Sequence, residues 1–73
     1  MDEALTIGER IRKRRRALGL SREALAERAG MTSNAISQYE RGVRVPRLTV
    51  ALNLAGALHT SLYYLATGRE CGE

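Results

Sequence analysis

The sequence predicts an all-α fold, in which five short helices pack into one compact domain. Apolar residues recur at intervals of three and four, which is the period of helices with one buried face. Serine or threonine precedes several of these segments and glycine follows them, as is typical of helix starts and ends. The 73 residues include no Trp or Phe, so the core must consist mainly of Leu, Ile, Val and Ala. This length supports a single domain over residues 1–73, with a small core.

The first helix is predicted from an apolar stripe and should end near Gly19. Ile7, Ile11 and Leu18 lie on one face at helical spacing. Residues 1–6 are expected to be a frayed lead-in to this helix.

Positive charge is concentrated on the other faces of the first helix. The chain has 12 Lys and Arg against 8 Asp and Glu, for a formal net charge of +4, and residues 10–22 contain seven basic side chains and no acidic one. Such a balance indicates a polyanionic partner. A basic amphipathic helix also suits a membrane surface or a calmodulin-like partner, but this apolar stripe is too narrow for interfacial burial.

The second helix is short and amphipathic. Ser21 is suited to cap its N-terminus, because a serine hydroxyl accepts a hydrogen bond from an open amide of the first turn. Leu25 and Ala29 lie four residues apart and form the buried face. Gly30 can adopt the positive φ that commonly ends a helix.

The third helix follows after a tight turn and has an unusual outward face. Thr32 is predicted as its N-cap, Ile36 and Tyr39 face inward, and Gly42 ends the run. The opposite face carries two amides, two hydroxyls and one guanidinium, from Ser33, Asn34, Ser37, Gln38 and Arg41.

These polar groups match the hydrogen-bonding groups of DNA. Asn and Gln can pair with adenine N6 and N7, Ser can reach several base edges, and Arg can bind guanine or phosphate. A solvated polar face is the alternative interpretation. The helix-turn-helix context, with Gly30 in the turn and a basic chain around it, favours DNA contact.

Two further helices are predicted after a short connection over residues 43–47, which Pro46 stiffens. Apolar residues recur at positions 48, 51, 55, 58 and 62, with a break near residues 59–60. Ser61 is predicted to cap the fifth helix and Gly68 to end it. The first, fourth and fifth helices should form the scaffold that presents the third.

The sequence contains no pattern that predicts a catalytic site, a cofactor site or a metal site. No apolar run approaches the ~20 residues of a membrane span. The single histidine, His59, fits a helix terminus better than a base or ligand, and Cys71 stands alone in a polar tail. No glycine-rich loop follows a strand, as nucleotide-binding motifs require. We therefore expect no enzyme, no cofactor, no small-molecule ligand and a cytoplasmic location.

The chain resembles the phage lambda-type repressor, Cro and xenobiotic-response-element (XRE) family of helix-turn-helix regulators over about residues 6–68. In and after the helix-turn-helix the matching residues are Leu25, Ala26, Gly30, Thr32, Ile36, Ser37, Glu40, Gly42, Pro46, Leu54, Ala55, Ala57 and Leu58. Upstream they are Ile7, Gly8, Ile11, Arg12, Arg15, Gly19, Leu20 and Ser21. Arg14 departs from the pattern, since the family usually has an apolar residue there.

The resemblance implies roles for individual residues. Base contacts fall on Ser33, Asn34 and Gln38, with Ser37 as a further candidate. Arg22 matches a position that the family commonly uses on phosphate. Apart from the resemblance, Thr32 at the N-terminus of the third helix is expected to favour a phosphate, and the basic residues Arg41, Arg44 and Arg47 are expected to bind phosphates beyond its C-terminal end, with Arg10 and Arg14 as weaker candidates. Arg15 and Glu40 match an intramolecular ion pair between the first helix and the end of the third.

The implied function is sequence-specific binding of double-stranded DNA by a transcription regulator of bacterial or phage origin. A homodimeric repressor on a palindromic operator is expected, with the third helix in the major groove. Its dimer surface should be small and include one of Tyr63 and Tyr64, with Leu62. The alternative is a protein-interaction module, such as an antitoxin or adaptor, on the same fold. RNA binding is disfavoured, because no aromatic lies on the outward face for base stacking.

Overall fold

The computed structural model describes residues 6–69, which form five α-helices and no strand. The helices are α1 (Ile7–Ala17), α2 (Arg22–Ala29), α3 (Ser33–Glu40), α4 (Leu48–Ala57) and α5 (Leu62–Thr67). The all-α, five-helix prediction is therefore confirmed. In this part of the chain no helix is both long and apolar enough to cross a membrane.

Hydroxyl side chains begin four of the five helices. Ser21, Thr32 and Ser61 each accept a hydrogen bond from the backbone N–H three residues later, as predicted. Thr6 was assigned to a frayed lead-in, and for this residue that prediction is wrong. Thr6 and Glu9 form a reciprocal capping box, with hydrogen bonds of 2.9 and 3.2 Å, that fixes the start of α1. Residues 1–5 lie outside the described part.

One aliphatic core joins all five helices. Six side chains are completely buried, one from each helix and one from the residue after α4: Ile11, Leu25, Ile36, Leu54, Leu65 and Leu58. Helix α3 packs against α1 and α2, while α4 packs against α2 and α5, and α5 against α1. The helix that carries the polar face is therefore held from two sides. Tyr39 and Tyr64 join the core and Tyr63 is exposed, as the sequence predicted for Tyr39 and for one of the two adjacent tyrosines.

Helices α1 and α3 approach each other closely at Gly8. A Cβ atom added to Gly8 would overlap the carbonyl oxygen of Tyr39 and lie 3.2 Å from the Cα of Glu40. Only glycine fits here, because the atoms in the way are backbone and cannot rotate aside. This contact sets the distance between α1 and the C-terminal end of α3.

Two arginines of α1 bind the ends of other helices. The Arg10 guanidinium is 5% exposed and donates a 2.7 Å hydrogen bond to the carbonyl of Leu65 in the last turn of α5. Arg14 donates to the carbonyls of Leu58 and His59, at 2.9 and 3.0 Å, where α4 ends. Helix ends leave such carbonyls without intrahelical partners. Arg10 and Arg14 thus have structural roles that the sequence did not predict, and their predicted phosphate contacts stay a prediction.

Candidate nucleic-acid interface

The polar side chains predicted to read bases lie together on α3. Asn34 and Gln38 are one helical turn apart, and so are Ser33 and Ser37. Asn34 is exposed and the other three are half-buried. Because Ile36 and Tyr39 anchor the opposite face in the core, the orientation of α3 is fixed by packing. The helix therefore presents a row of amide and hydroxyl groups on a rigid support.

The N-terminus of α3 offers groups for an anion. Thr32 caps the helix by accepting a 3.1 Å hydrogen bond from the Ala35 N–H. The first amides of the helix, those of Ser33 and Asn34, have no intrahelical acceptors, and the helix dipole favours negative charge beside them. The Thr32 hydroxyl still has its own proton to donate. This end of α3 suits a phosphate oxygen.

A single buried carboxylate organises the basic residues around α3. The Glu40 side chain is fully buried and receives two hydrogen bonds from Arg15, at 2.7 and 3.2 Å. Arg22 donates a third at 3.1 Å, and the Nε of Arg12 lies 3.6 Å from the same carboxylate. Three guanidinium groups around one carboxylate leave this corner of the domain with net positive charge.

Arg22 therefore has a second role that the sequence did not predict. Its Nε is bound to Glu40, although 40% of its side chain remains exposed. The two Nη groups are left for a phosphate. Arg22 combines an intramolecular ion pair with a possible DNA contact, and the pair holds the side chain in place.

The arginines that follow α3 are all exposed. Arg41 and Arg47 make no side-chain hydrogen bond or ion pair with the rest of residues 6–69, so their guanidinium groups are available to an anion. Arg44 is different. It donates from Nη1 to the Oε1 of Gln38 at 3.2 Å, and its guanidinium carbon lies 5.4 Å from the centre of the Tyr39 ring. The spacing of residues in the sequence could not predict the contact between Arg44 and Gln38, because Arg44 belongs to a loop that folds back on α3.

An exposed apolar surface next to α3 was also missed by sequence reasoning. Val43, Val45, Leu48 and Leu52 are between 51% and 78% exposed. Leu48, the first of the apolar positions noted for the fourth helix, stands at the first position of α4 outside the core. We call these four residues the apolar surface. They lie within ten residues of one another in the chain, and exposed apolar side chains that cluster can mark an interface.

The described segment holds no group of side chains suited to a metal ion. Within residues 6–69 no three His, Cys, Asp or Glu side chains are close enough together to hold a metal ion. Cys71 lies outside the described residues. The candidate site is thus a polar helix packed on the core, with a capped N-terminus and exposed arginines beside it, which is the kind of arrangement that DNA-binding domains use.

Comparison with known proteins identifies the family. The helix-turn-helix family model matches residues 11–65, most of the chain. The chain therefore belongs to the helix-turn-helix (XRE) family of DNA-binding transcription regulators, which are not enzymes.

Two of the relatives are a bacterial regulator and a phage repressor. An uncharacterised transcriptional regulator in the ATPase CF(0) region of Rhodospirillum rubrum is 36% identical over 67 residues, which are 92% of this chain and 62% of the relative. Repressor protein C2 of Salmonella phage P22 is 42% identical over 62 residues, which are 85% of this chain and 29% of that protein. The chain thus spans less than two thirds of the length of each.

Solved structures show the same fold. The P22 c2 repressor in complex with a synthetic operator superposes with a TM-score of 0.86 at 39% identity, over 90% of this chain and 100% of that one. The biofilm regulator SinR in complex with DNA gives a TM-score of 0.79 at 31% identity, over 82% of this chain and 97% of that chain.

Proposed function

We propose that this protein binds double-stranded DNA sequence-specifically, as a repressor, with α3 in the major groove. The observation that carries this proposal is the row of polar side chains on α3, which the core holds in one orientation between an anion-binding N-terminus and exposed arginines. The P22 c2 repressor and SinR, which have the same fold, have both been solved with DNA.

Base reading is assigned to Ser33, Asn34, Ser37 and Gln38, whose amides and hydroxyls match the donors and acceptors of the major groove. Phosphate binding is assigned to Thr32 and Arg22 at the N-terminal ends of α3 and α2, and to Arg41, Arg44 and Arg47 beyond the C-terminal end of α3. The net charge of +4 adds a sequence-independent attraction to DNA.

The active species on DNA is a homodimer on a palindrome. One recognition helix reads only a few base pairs, which is too little to select a site in a genome. Two-fold related half-sites lie about 34 Å apart. The domain measures 32 × 22 × 22 Å, so two copies on adjacent half-sites lie close enough for a contact between them. The apolar surface, which follows α3 directly in the chain, is the proposed contact between them.

Titration of duplex and single-stranded DNA at two salt concentrations tests the binding function. A duplex selected from a random-sequence library should bind more tightly than single-stranded DNA of the same sequence, and its affinity should fall as salt rises. Equal binding of all sequences and of single strands would contradict the proposal.

Comparison of a half-site with the full palindrome tests the dimer. Leu48→Glu should weaken binding to the palindrome while leaving the half-site complex nearly unchanged. Thr49→Glu is the matched control, because it adds the same charge at an exposed neighbouring position of α4. One-to-one binding with equal affinity for half-site and palindrome would refute the dimer.

The apolar surface also favours a second candidate function, that of an adaptor or antitoxin whose folded surface binds another protein. In that case Leu48→Glu would abolish binding of the protein partner and leave DNA affinity unchanged on both targets. Cytoplasmic location accompanies either function.

A further inference from the structure

The contact between Arg44 and Gln38 constrains what Gln38 can present to DNA. A guanidinium has only N–H donors and no acceptor, so the Gln38 amide must turn its oxygen toward Arg44. The observed hydrogen bond, from Arg44 Nη1 to Gln38 Oε1 at 3.2 Å, has this arrangement. The amide nitrogen, with its two N–H donors, is then the free end of the side chain.

Arg44 is itself held in position from two directions. Its guanidinium lies over the ring of Tyr39, 5.4 Å from the ring centre, and that ring is fixed because Tyr39 is only 5% exposed. The backbone N–H groups of Val43 and Arg44 both donate to the main-chain carbonyl of Gln38, at 3.0 and 3.3 Å. The loop after α3 is thus fastened to the same residue whose side chain Arg44 binds.

This arrangement favours one kind of base. Bidentate pairing of glutamine with adenine uses the amide oxygen to accept from N6 and the amide nitrogen to donate to N7. The bond from Arg44 occupies one of the two lone pairs of the Gln38 oxygen and turns that oxygen toward the loop, so the amide presents its N–H donors foremost. Such a side chain best matches a base edge that carries acceptors only. Guanine presents two acceptors in the major groove, O6 and N7, and no donor.

We propose that Arg44 is a positioning residue for specificity, which orients the Gln38 amide so that Gln38 selects guanine over adenine. This inference rests on the proposed function, in which Gln38 reads bases. It adds to the proposed phosphate contact of Arg44 a second role that Arg47 lacks, since Arg47 is another exposed arginine beyond α3 but makes no side-chain hydrogen bond or ion pair within residues 6–69.

The test measures base preference rather than affinity alone. A duplex selected by the parent chain from a random library is remade with all four base pairs at each half-site position. Binding of the parent, Gln38→Ala, Arg44→Ala and Arg47→Ala is then measured on this set at constant salt. Thermal unfolding of each variant checks that the fold is intact, which is expected because Arg44 and Arg47 are exposed.

The proposal expects Gln38→Ala to erase base preference at one position, where the parent favours guanine. At that same position Arg44→Ala should lower the ratio of guanine to adenine affinity by about tenfold, the effect of one well-placed base contact. Arg47→Ala should weaken all duplexes by a similar factor and leave every ratio unchanged.

Two other results separate the inference from the proposed function. If Gln38→Ala erases a preference but Arg44→Ala lowers all affinities uniformly, Arg44 binds phosphate only and the inference fails while the function stands. If the parent selects no sequence, or Gln38→Ala changes no preference, the base-reading assignment fails and the inference fails with it.

Discussion

Arg15 and Glu40 form a two-point ion pair between α1 and the last residue of α3, with N–O distances of 2.7 and 3.2 Å. Arg15 also donates to the carbonyl of Leu20 at 2.9 Å, so one guanidinium connects α1, the turn before α2 and α3. Both residues are buried. The pair therefore fixes how the C-terminal end of α3 is held, as the family resemblance implied.

Removal of Glu40 should destabilise the domain more than removal of Arg15. Glu40→Ala leaves the 7%-exposed Arg15 without its counter-ion, and breaking a buried pair in this way typically costs about 3–5 kcal/mol. After Arg15→Ala, Glu40 keeps its hydrogen bond with Arg22, so the loss should be smaller. Thermal or urea unfolding measures both effects, and DNA binding should weaken in each variant because α3 is misplaced.

Glu23→Ala is the control for this pair, since Glu23 is an exposed acid of α2 and should change stability by less than about 0.5 kcal/mol. If Arg15→Ala and Glu40→Ala unfolded like the parent but bound all duplexes weakly, Arg15 would be a phosphate ligand and the structural assignment would be wrong.

Gly8→Ala should destabilise the domain although alanine is the better helix former. The new methyl group would overlap the Tyr39 carbonyl oxygen, and relief requires α1 and α3 to separate. We expect a loss of roughly 1–3 kcal/mol, as is usual for overpacking, measured by thermal unfolding.

Gly56→Ala is the matched control for Gly8. It lies inside α4 with no atom near the position of its Cβ, so the same substitution should stabilise by about 0.5–1 kcal/mol. Equal effects of the two substitutions would show that α1 and α3 do not meet at Gly8 as described.

Arg14→Ala should reduce stability without changing the salt dependence of DNA binding. Its two hydrogen bonds satisfy carbonyls at the end of α4, and loss of such charged donors costs on the order of 1–3 kcal/mol. The measurements are urea unfolding and the slope of log affinity against log salt. Arg16→Ala, an exposed arginine of the same helix, removes the same charge and should leave stability unchanged. If Arg14→Ala lowered the salt slope and Arg16→Ala did not, Arg14 would be a phosphate contact, as the sequence predicted.

Asn34 and Arg47 should differ in how they affect cognate and random DNA. Asn34→Ala should cost about 1–3 kcal/mol on the selected duplex and little on random duplex, because Asn34 is assigned to bases. Arg47→Ala should weaken both and lower the salt slope by about one, since a phosphate contact releases counterions on any sequence. Titrations across a salt series measure both quantities. If Asn34→Ala still preferred the selected duplex over random duplex as strongly as the parent does, α3 would not be the element that reads the bases.

The sequence alone determined the helices and the polar face of α3. Ser21, Thr32 and Ser61 cap helices because a hydroxyl can accept from an amide three residues on, which is a local interaction. The inward spacing of Ile36 and Tyr39 likewise identified the outward side of α3, because helical geometry alone relates positions three and four apart. The family resemblance then supplied the pairing of Arg15 with Glu40.

Only the tertiary structure decided which arginines are structural. Arg10 and Arg14 bind carbonyls that are 55 and 44 residues away in the chain. Helical periodicity relates only residues three or four apart, so it cannot predict partners at such separations. The contact of Arg44 with Gln38 depends on the path of a loop, and the overlap at Gly8 depends on the crossing of two helices. Arginine looks the same in sequence whether it is solvated or bound, because its long side chain reaches its partner only after the chain has folded.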